Sequence, residues 1–486
     1  MLDLKEYMIE DYLPTIGIEC HVQLKTLTKL FAGVDNDARS AEPNSLISHI
    51  CLGMPGALPV LNEKAVELAS KAAFALNTVP SKFSKFDRKH YFYPDLPNGY
   101  QITQFDEPIV IGGHVDITIN TKPKRIGITR AHLEADAGKS THPSAADYSL
   151  VDLNRAGTPL LEIVSEPDIH SAKEAKAYAH ELYLLMRYAD VSYANLFYGN
   201  MRFDVNVSVS KDPKKLGTRS ETKNLNSFRS VEKTVEFEIK RQIQLLEKGG
   251  EVVQETRGWD DAKQKTFSQR SKEDAHDYRY FPDPDIPPVV LDDKYINKIK
   301  DSMPVMPSVL RDKMAHLGLD DSVIETLVDE MPAGIFMHLI LDECSAEDSK
   351  RIANWLASDV QALVAEEKVT WDDATLDVSA FQQLSKLVDS SEISSTSAKV
   401  IIGVLVEHGG DPLVIAKERD LLQVSDEGEI EKIVSEVIAN NPIASEDVKN
   451  GEMKAIGFLI GQIMKQSKGK ANPGLAQKLI KKQLGL

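Results

Sequence analysis

Cysteine is scarce. Cys20, Cys51 and Cys344 are the only three in 486 residues, too few and too far apart for a disulfide framework or a thiolate-rich metal site. They point to a reducing compartment, and the cytoplasm is the expected location. No apolar run approaches the roughly 20 residues needed to cross a bilayer. The segment Met1 to Asp11 is acidic and lacks the basic-then-apolar order of a secretory signal, so no membrane association is expected. Also missing are a Walker phosphate loop, a dinucleotide-binding glycine fingerprint, an elbow serine and an amidase-like run of serines with a lysine. Any nucleotide is therefore held without those loops, and no serine nucleophile for amide hydrolysis is in view. Positive charge is short too: 57 Lys and Arg face 74 Asp and Glu, a net charge of −17 that repels phosphate on average.

What is present is ordinary globular composition, 42% hydrophobic and 27% charged, at a length that suggests about three domains. Asn62 can cap a helix reaching Leu76, and Ser171 with Glu174 forms a capping box ahead of Ala175 to Tyr188. Val231, Val235, Ile239, Ile243 and Leu246 stripe a helix that ends at Gly249-Gly250. Phe281 to Pro288 holds Pro282, Pro284, Pro287 and Pro288, which neither a helix nor an inner strand tolerates. A boundary is therefore placed near Asp292. Beyond it the pattern is helical, broken at Gly409-Gly410-Asp411-Pro412. The expected class is α+β: a mostly antiparallel sheet with helices over 1–292, then all-helical domains over 293–409 and 410–486.

Three segments repeat one design. In Thr15 to Leu24, apolar residues alternate with Glu19, His21 and Gln23. In Met201 to Ser210 they alternate with Arg202, Asp204, Asn206 and Ser208. In Arg130 to Asp136 they alternate with Arg130, His132, Glu134 and Asp136. Each reads as a strand with one greasy face and one ionisable face. Two readings of the ionisable face stand: a side in water, or a site, since His, Asp, Glu, Asn and Arg are the types that bind hard cations and phosphate. Glu19 and His21, two apart on a strand, would sit roughly 7 Å apart and side by side. The run from Phe86 to Asp95 interleaves aromatics with Arg88 and Lys89, either an aromatic mini-core or a surface for bases and phosphates. Gly217 to Arg229 concentrates polar groups, as a recognition loop or as the cap of the following helix. From Gly451 to Leu486, seven lysines meet one acid, a solvated helix face or an RNA contact.

Taken together, Ile16–Leu24, Pro55–Val60, Phe86–Asp95, Asp136–Lys139, Asp152–Leu160, Glu162–Asp168, Lys223–Phe228, Gln254–Arg257, Asp277–Pro282, Gly457–Met464 and Ala471–Pro473 resemble the B subunits of glutamyl-/aspartyl-tRNA amidotransferases. The resemblance runs in one order along nearly the whole chain. It implies a cradle-like N-terminal domain that phosphorylates the side-chain carboxylate of Glu-tRNA(Gln) or Asp-tRNA(Asn) with ATP and then amidates it. It further implies a glutaminase A subunit that supplies ammonia, and a small C subunit completing a heterotrimer. Glu19, His21, Glu134 and Asp204 become the expected Mg²⁺ ligands. Lys89, Lys139 and Arg155 join Glu19 and His21 as expected catalytic residues. Asn206, Arg202 and Tyr91 are expected at the nucleotide, and Lys454, Lys465, Lys468 and Lys470 at the tRNA. Relatives commonly read Glu-Glu-Asp at Glu134-Ala135-Asp136 and Glu-Glu-Gly at Phe197-Tyr198-Gly199. Many carry paired Cys-x-x-Cys motifs where this chain keeps only Cys51, with Ser48 three residues earlier, so zinc is not expected.

Overall fold

The computed structural model describes residues 8–9, 11–143, 146–271, 277–423, 427–450, 452, 454–467 and 471–486. The chain forms two compact units, Met1–Met306 and Pro307–Leu486.

The first unit is built on one open sheet with twelve strands among the described residues. Ten lie on a single path. They are β1 (Leu13–Gln23), β2 (Asp87–His90), β3 (Tyr100–Thr103), β4 (Lys122–Ala135), β5 (Pro159–Ser165), β6 (Met201–Ser210), β7 (Ser220–Leu225), β8 (Glu255–Asp260), β9 (Lys265–Ser271) and β10 (Phe281–Pro282). Their order is β9-β8-β7-β6-β1-β5-β4-β3-β2-β10, and two further strands, Val110–Ile111 and His114–Ile119, pair with β4. Every pairing is antiparallel except β7 with β8. The sheet is mixed with helices and does not close, in keeping with the α+β expectation.

Alternation fixes which face is which. Ile16, Ile18, Cys20 and Val22 of β1, Met201, Phe203, Val205 and Val207 of β6, and Leu161 and Ile163 of β5 all enter one buried core. Helices α1 (Glu63–Ala75), α2 (Ala172–Tyr188) and α3 (Phe228–Glu247) bring their apolar stripes to the same core. Each large aliphatic side chain buried there contributes about 1.5–3 kcal/mol. The caps are as the sequence indicates: Asn62 accepts from Lys64 N, Ser171 from Glu174 N, and Ser227 from Ser230 N. The Glu174 carboxylate reaches back to His170 N at 2.7 Å, one residue before the cap. The opposite, polar face of the central strands carries the ionisable side chains.

Helix α4 (Asp293–Asp301), which lies beyond the expected boundary at Asp292, packs on α1 within the first unit. The second unit is helical from Pro307 onward. Its last part, from Glu427–Asn440 to Pro473–Leu484, closes a small core of its own around Val434, Leu459, Ile463 and Leu479. No helix among the described residues is long and apolar enough to cross a membrane.

Candidate active site

The register between four neighbouring strands sets the site. Arg202 of β6 lies opposite His21 of β1, His21 opposite Glu162 of β5, and Glu162 opposite His132 of β4. At roughly 4.8 Å per strand, these side chains stand in one row across the polar face. Glu134, two residues on from His132, leans into the row. His21 Nε2 lies 3.5 Å from Glu162 Oε2 and 3.8 Å from Glu134 Oε1. His132 Nε2 stands at the same two distances from the same two carboxylates. Ligand atoms of His21, Glu134 and Glu162 all fall within 4.8 Å of one another. That set, one imidazole nitrogen and two carboxylates, suits a small hard cation. His132 Nδ1, buried beside it, has no hydrogen-bond partner among the described residues.

The electrostatics follow from this crowding. Burial opposes a charge on His21, but the hydrogen-bonded Glu162, together with Glu134 and Asp204, outweighs it and lifts the pKa to about 9. Burial likewise opposes charge on Glu162, yet His132, His21 and Lys89 hold its carboxyl well below the usual range.

Glu19 is one row away. Its Oε1 accepts from Asn206 Nδ2 at 3.1 Å, and burial, reinforced by Glu162 and Glu221, raises its pKa. Thr15, Gly17, Glu19, Asn206, Ser208 and Arg219 are among the residues lining a cavity of about 210 Å³ alongside. Asp204 turns to another partner: its Oδ2 meets Lys223 Nζ at 3.1 Å, and its Oδ1 accepts from Asn224 N at 2.8 Å. Asn224 has φ of 60°, and the β6–β7 register slips between Phe203 and Val205. This irregularity aims the backbone N–H and the Lys223 ammonium at Asp204. Burial lowers the proton affinity of Lys223, but Asp204 and Glu221 raise it more.

Lys89 borders the row from β2. Burial acts against its charge, whereas Glu134, Tyr280 and Glu162 more than restore it. Its Nζ lies 4.8 Å from the centre of the Tyr278 ring and 5.9 Å from that of Tyr91. Burial, followed by Glu134 and Asp136, raises the Tyr91 hydroxyl, so the phenol stays protonated. On the other flank Asp136 joins two guanidinium groups, Arg155 Nε at 3.1 Å and Arg202 at 3.3 Å. Arg155 also donates to the carbonyls of Ala137 and Gly138 at 3.1 and 2.8 Å. Its loop is anchored by Lys29, a fully buried ammonium that donates to Ala156 O at 2.8 Å and Leu46 O at 2.7 Å. The Lys29 ammonium also lies 3.6 Å from Cys51 Sγ.

Of the residues expected from sequence, His21, Glu134 and Lys89 come together, with Glu19, Asn206, Arg202, Tyr91 and Arg155 around them. Asp204 lies apart from the three-ligand group, on Lys223. Lys139 is exposed on a short hairpin, Lys139–Thr141 with Leu150–Asp152. Lys454 and Lys465 are exposed on the helix Lys454–Gln466, while Lys468 and Lys470 fall outside the described residues. Sequence patterning does not single out Glu162 or Lys29 as site residues, whereas His132 stands on the ionisable face read from Arg130 to Asp136 and Lys223 in the polar stretch Gly217 to Arg229, neither with a role assigned to it. For Glu162 a signal exists: it is the sole charged residue in the strand Pro159–Ser165.

All but Leu13 of the residues that form this open sheet, with carboxylates, imidazoles and flanking cations on its polar face, fall within 14–297, which match the family model described as GatB/GatE catalytic domain. A second model, described as GatB domain, matches 340–484. Curated relatives agree along the whole length. The B subunit of the aspartyl/glutamyl-tRNA(Asn/Gln) amidotransferase of Persephonella marina is 46% identical, covering 98% of this chain and 100% of its own. Its counterparts in Carboxydothermus hydrogenoformans and Brevibacillus brevis are 43% and 44% identical over 98% and 97% of this chain, each with 99% of its own length covered. The chain belongs to the family of aspartyl/glutamyl-tRNA(Asn/Gln) amidotransferase B subunits.

Proposed function

We propose that this chain is the ATP-using, amidating component of a tRNA amidotransferase that converts misacylated Glu-tRNA(Gln), Asp-tRNA(Asn) or both. The observation that supports this reading best is the row of His21, Glu162 and His132 with Glu134, flanked by Lys89 on one side and the Asp136-linked arginines on the other.

In this reading the site binds the esterified amino acid and ATP on the polar sheet face. One oxygen of the amino acid's side-chain carboxylate bonds to the γ-phosphorus as the bond to ADP breaks. Ammonia then adds to the carbonyl carbon, inorganic phosphate departs with the C–O bond, and one proton leaves the nitrogen. Bound Mg²⁺ supplies neutralisation of charge on the phosphate oxygens. His21, Glu134 and Glu162 would hold it; Glu19 stands one row off, and Asp204 becomes a ligand only by giving up Lys223. Lys89, Arg155 and Lys139 are assigned to phosphate oxygens, with charge stabilisation concentrated where the transferring group passes. Asn206, Arg202 and Tyr91 orient the nucleotide. Glu19, whose surroundings raise its proton affinity, is suited to take the proton from nitrogen. Ammonia comes from a glutaminase A subunit, with a small C subunit completing the complex in the cytoplasm. Lys454, Lys465, Lys468 and Lys470 contact the tRNA.

The test is conversion of Glu-tRNA and Asp-tRNA by the complex reconstituted with A and C subunits, read as the mass of the released amino acid. ATP consumption dependent on misacylated tRNA is expected, and it should be lost in His21→Ala. Activity surviving both His21→Ala and Asp204→Ala would overturn the site assignment. Binding of misacylated tRNA with no ATP consumption would leave a tRNA-holding scaffold instead.

A further inference from the structure

The connection between α2 and β6 is tied down along its length, yet it turns aromatic rings to solvent. Lys25 N donates to Val191 O at 2.9 Å, Ala194 N to Ser192 Oγ at 3.0 Å, and Asn200 N to Asn195 O at 3.0 Å. Gln23 N donates to Asn200 O at 2.7 Å, and Asn200 Nδ2 returns a bond to Gln23 Oε1 at 2.9 Å. Ala194 is fully buried and Leu196 packs against the core. From this fixed loop Phe197 stands 87% exposed, Tyr193 60% and Tyr198 54%. Phe197 and Tyr198 meet edge to face, with centroids 5.2 Å apart. A cation covers each tyrosine: Lys25 Nζ lies 4.8 Å from the Tyr193 centroid and Arg39 Cζ 5.8 Å from that of Tyr198. Each cation is also paired, Lys25 with Asp190 and Arg39 with Asp37.

Two properties single out this patch. Its rings are presented on a backbone with hardly a free turn, so little ordering entropy is lost when they are covered. Its backbone is also joined to the strands of the site, two residues along from the row. Gln23, to which the loop is bonded, is two residues, about 7 Å, along β1 from His21, and Asn200 precedes Arg202, which lies opposite His21, by two residues.

We propose that Tyr193, Phe197 and Tyr198, with Lys25 and Arg39, form a stacking platform for the unpaired 3′-terminal nucleotides of the tRNA substrate. The inference rests on the amidotransferase reading, which places the esterified amino acid at the row of His21 and Glu162. The nucleotides next to that ester must then pass within a short reach of it. Unpaired bases stack on aromatic faces and guanidinium planes whatever their sequence, and adjacent phosphates can exchange with Asp37 and Asp190 for the two cations. A small ring cluster interleaved with both signs of charge fits such a strand better than the broad apolar patch of a permanent protein interface.

The experiment uses the reconstituted three-subunit complex and Glu-tRNA. Phe197→Ala with Tyr198→Ala should raise KM for the aminoacyl-tRNA roughly ten-fold or more, with kcat and KM for ATP nearly unchanged. Phe197→Trp should retain the wild-type KM. Unacylated tRNA trimmed of its unpaired 3′ nucleotides should bind wild type and double variant equally. Unchanged KM in the double variant overturns the platform. So does an equal loss of affinity for trimmed tRNA. Failure of the variant to co-elute with the A and C subunits also overturns it and gives the patch to a protein partner. A wild-type complex that does not amidate overturns the amidotransferase reading itself, and is recognised as such before any variant is measured.

Discussion

Glu162 is held between two imidazoles in a strand whose other residues carry no charge, so its own charge exists only for what surrounds it. Removing that charge leaves His21 and His132 facing Glu134 alone. Glu162→Gln is expected to lower the amidation rate on the order of 100-fold, a loss comparable to removing one preorganised electrostatic contact. Asp204, whose carboxylate is engaged by Lys223 and Asn224 N, acts on the row at one remove. Asp204→Asn should cost about ten-fold. Single-turnover rates with saturating ATP decide the order, and a larger loss in Asp204→Asn would move the cation site toward β6. His21 and Glu19 could be picked from sequence because alternation put two unusual residue types on one face. Glu162 could not, because its strand is nearly all apolar and the partners that give it meaning lie on β1 and β4, far away in sequence. Which carboxylates share a metal depends on strand order, which local patterning does not encode.

Between α3 and the outer strands lies a second ionic cluster, with no evident part in the chemistry. Glu238, fully buried on α3, accepts from Ser220 Oγ at 2.6 Å and from Arg241 at 2.7 Å, and lies 3.1 Å from Arg257 Nε. Gln242 extends the network to Ser220 Oγ and Val207 O, both at 2.9 Å. It clamps one helix to β6, β7, β8 and β9. Burial pushes the Glu238 carboxyl up, but Arg241, Ser220 and Thr266 bring it below its ordinary value. A depressed carboxyl stabilises the fold above its unfolded pKa, and that stability is lost as pH falls through the folded one. Glu238→Gln should therefore lower stability by about 3–5 kcal/mol near neutral pH, since Arg241 loses its buried counter-charge and Arg257 keeps only Glu255. The gap to wild type should narrow as pH falls below the ordinary carboxylate range. Urea midpoints from pH 7 to 3 check this, and a gap independent of pH would remove Glu238 as its source. Helix α3 itself was legible from its apolar stripe, but Glu238 reads in sequence as one more surface acid beside that stripe.

At the scale of the chain there are two compact units, and their sequences announce them differently. The first is encoded by alternation and turns, the second by helical stripes and capping residues such as Asp377 and Ser394, which accept from Ala380 N and Ser397 N. The last four helices close a core of their own, so their removal should leave the sheet intact. Deleting 427–486 is expected to weaken tRNA binding at least ten-fold and to flatten its dependence on salt, with ATP binding unchanged. Filter binding at several salt concentrations measures both. An unaltered salt slope would make the lysines of that segment an ordinary wet helix face. The position of the unit division was less legible than its existence. The prolines after Phe281 mark an interruption, yet α4 follows them and still packs on α1, a contact that only the folded chain reveals.

Because the same strands that bury Ile18, Cys20 and Val22 on one side carry Glu19 and His21 on the other, a single-residue insertion or deletion inside β1 would exchange the two faces. Core and site cannot be altered independently there by changes of length. Within these central strands the fold therefore accepts substitution, while changes of length have to fall in the connecting loops. Strand length in this stretch is bound to the polar row as much as to the core.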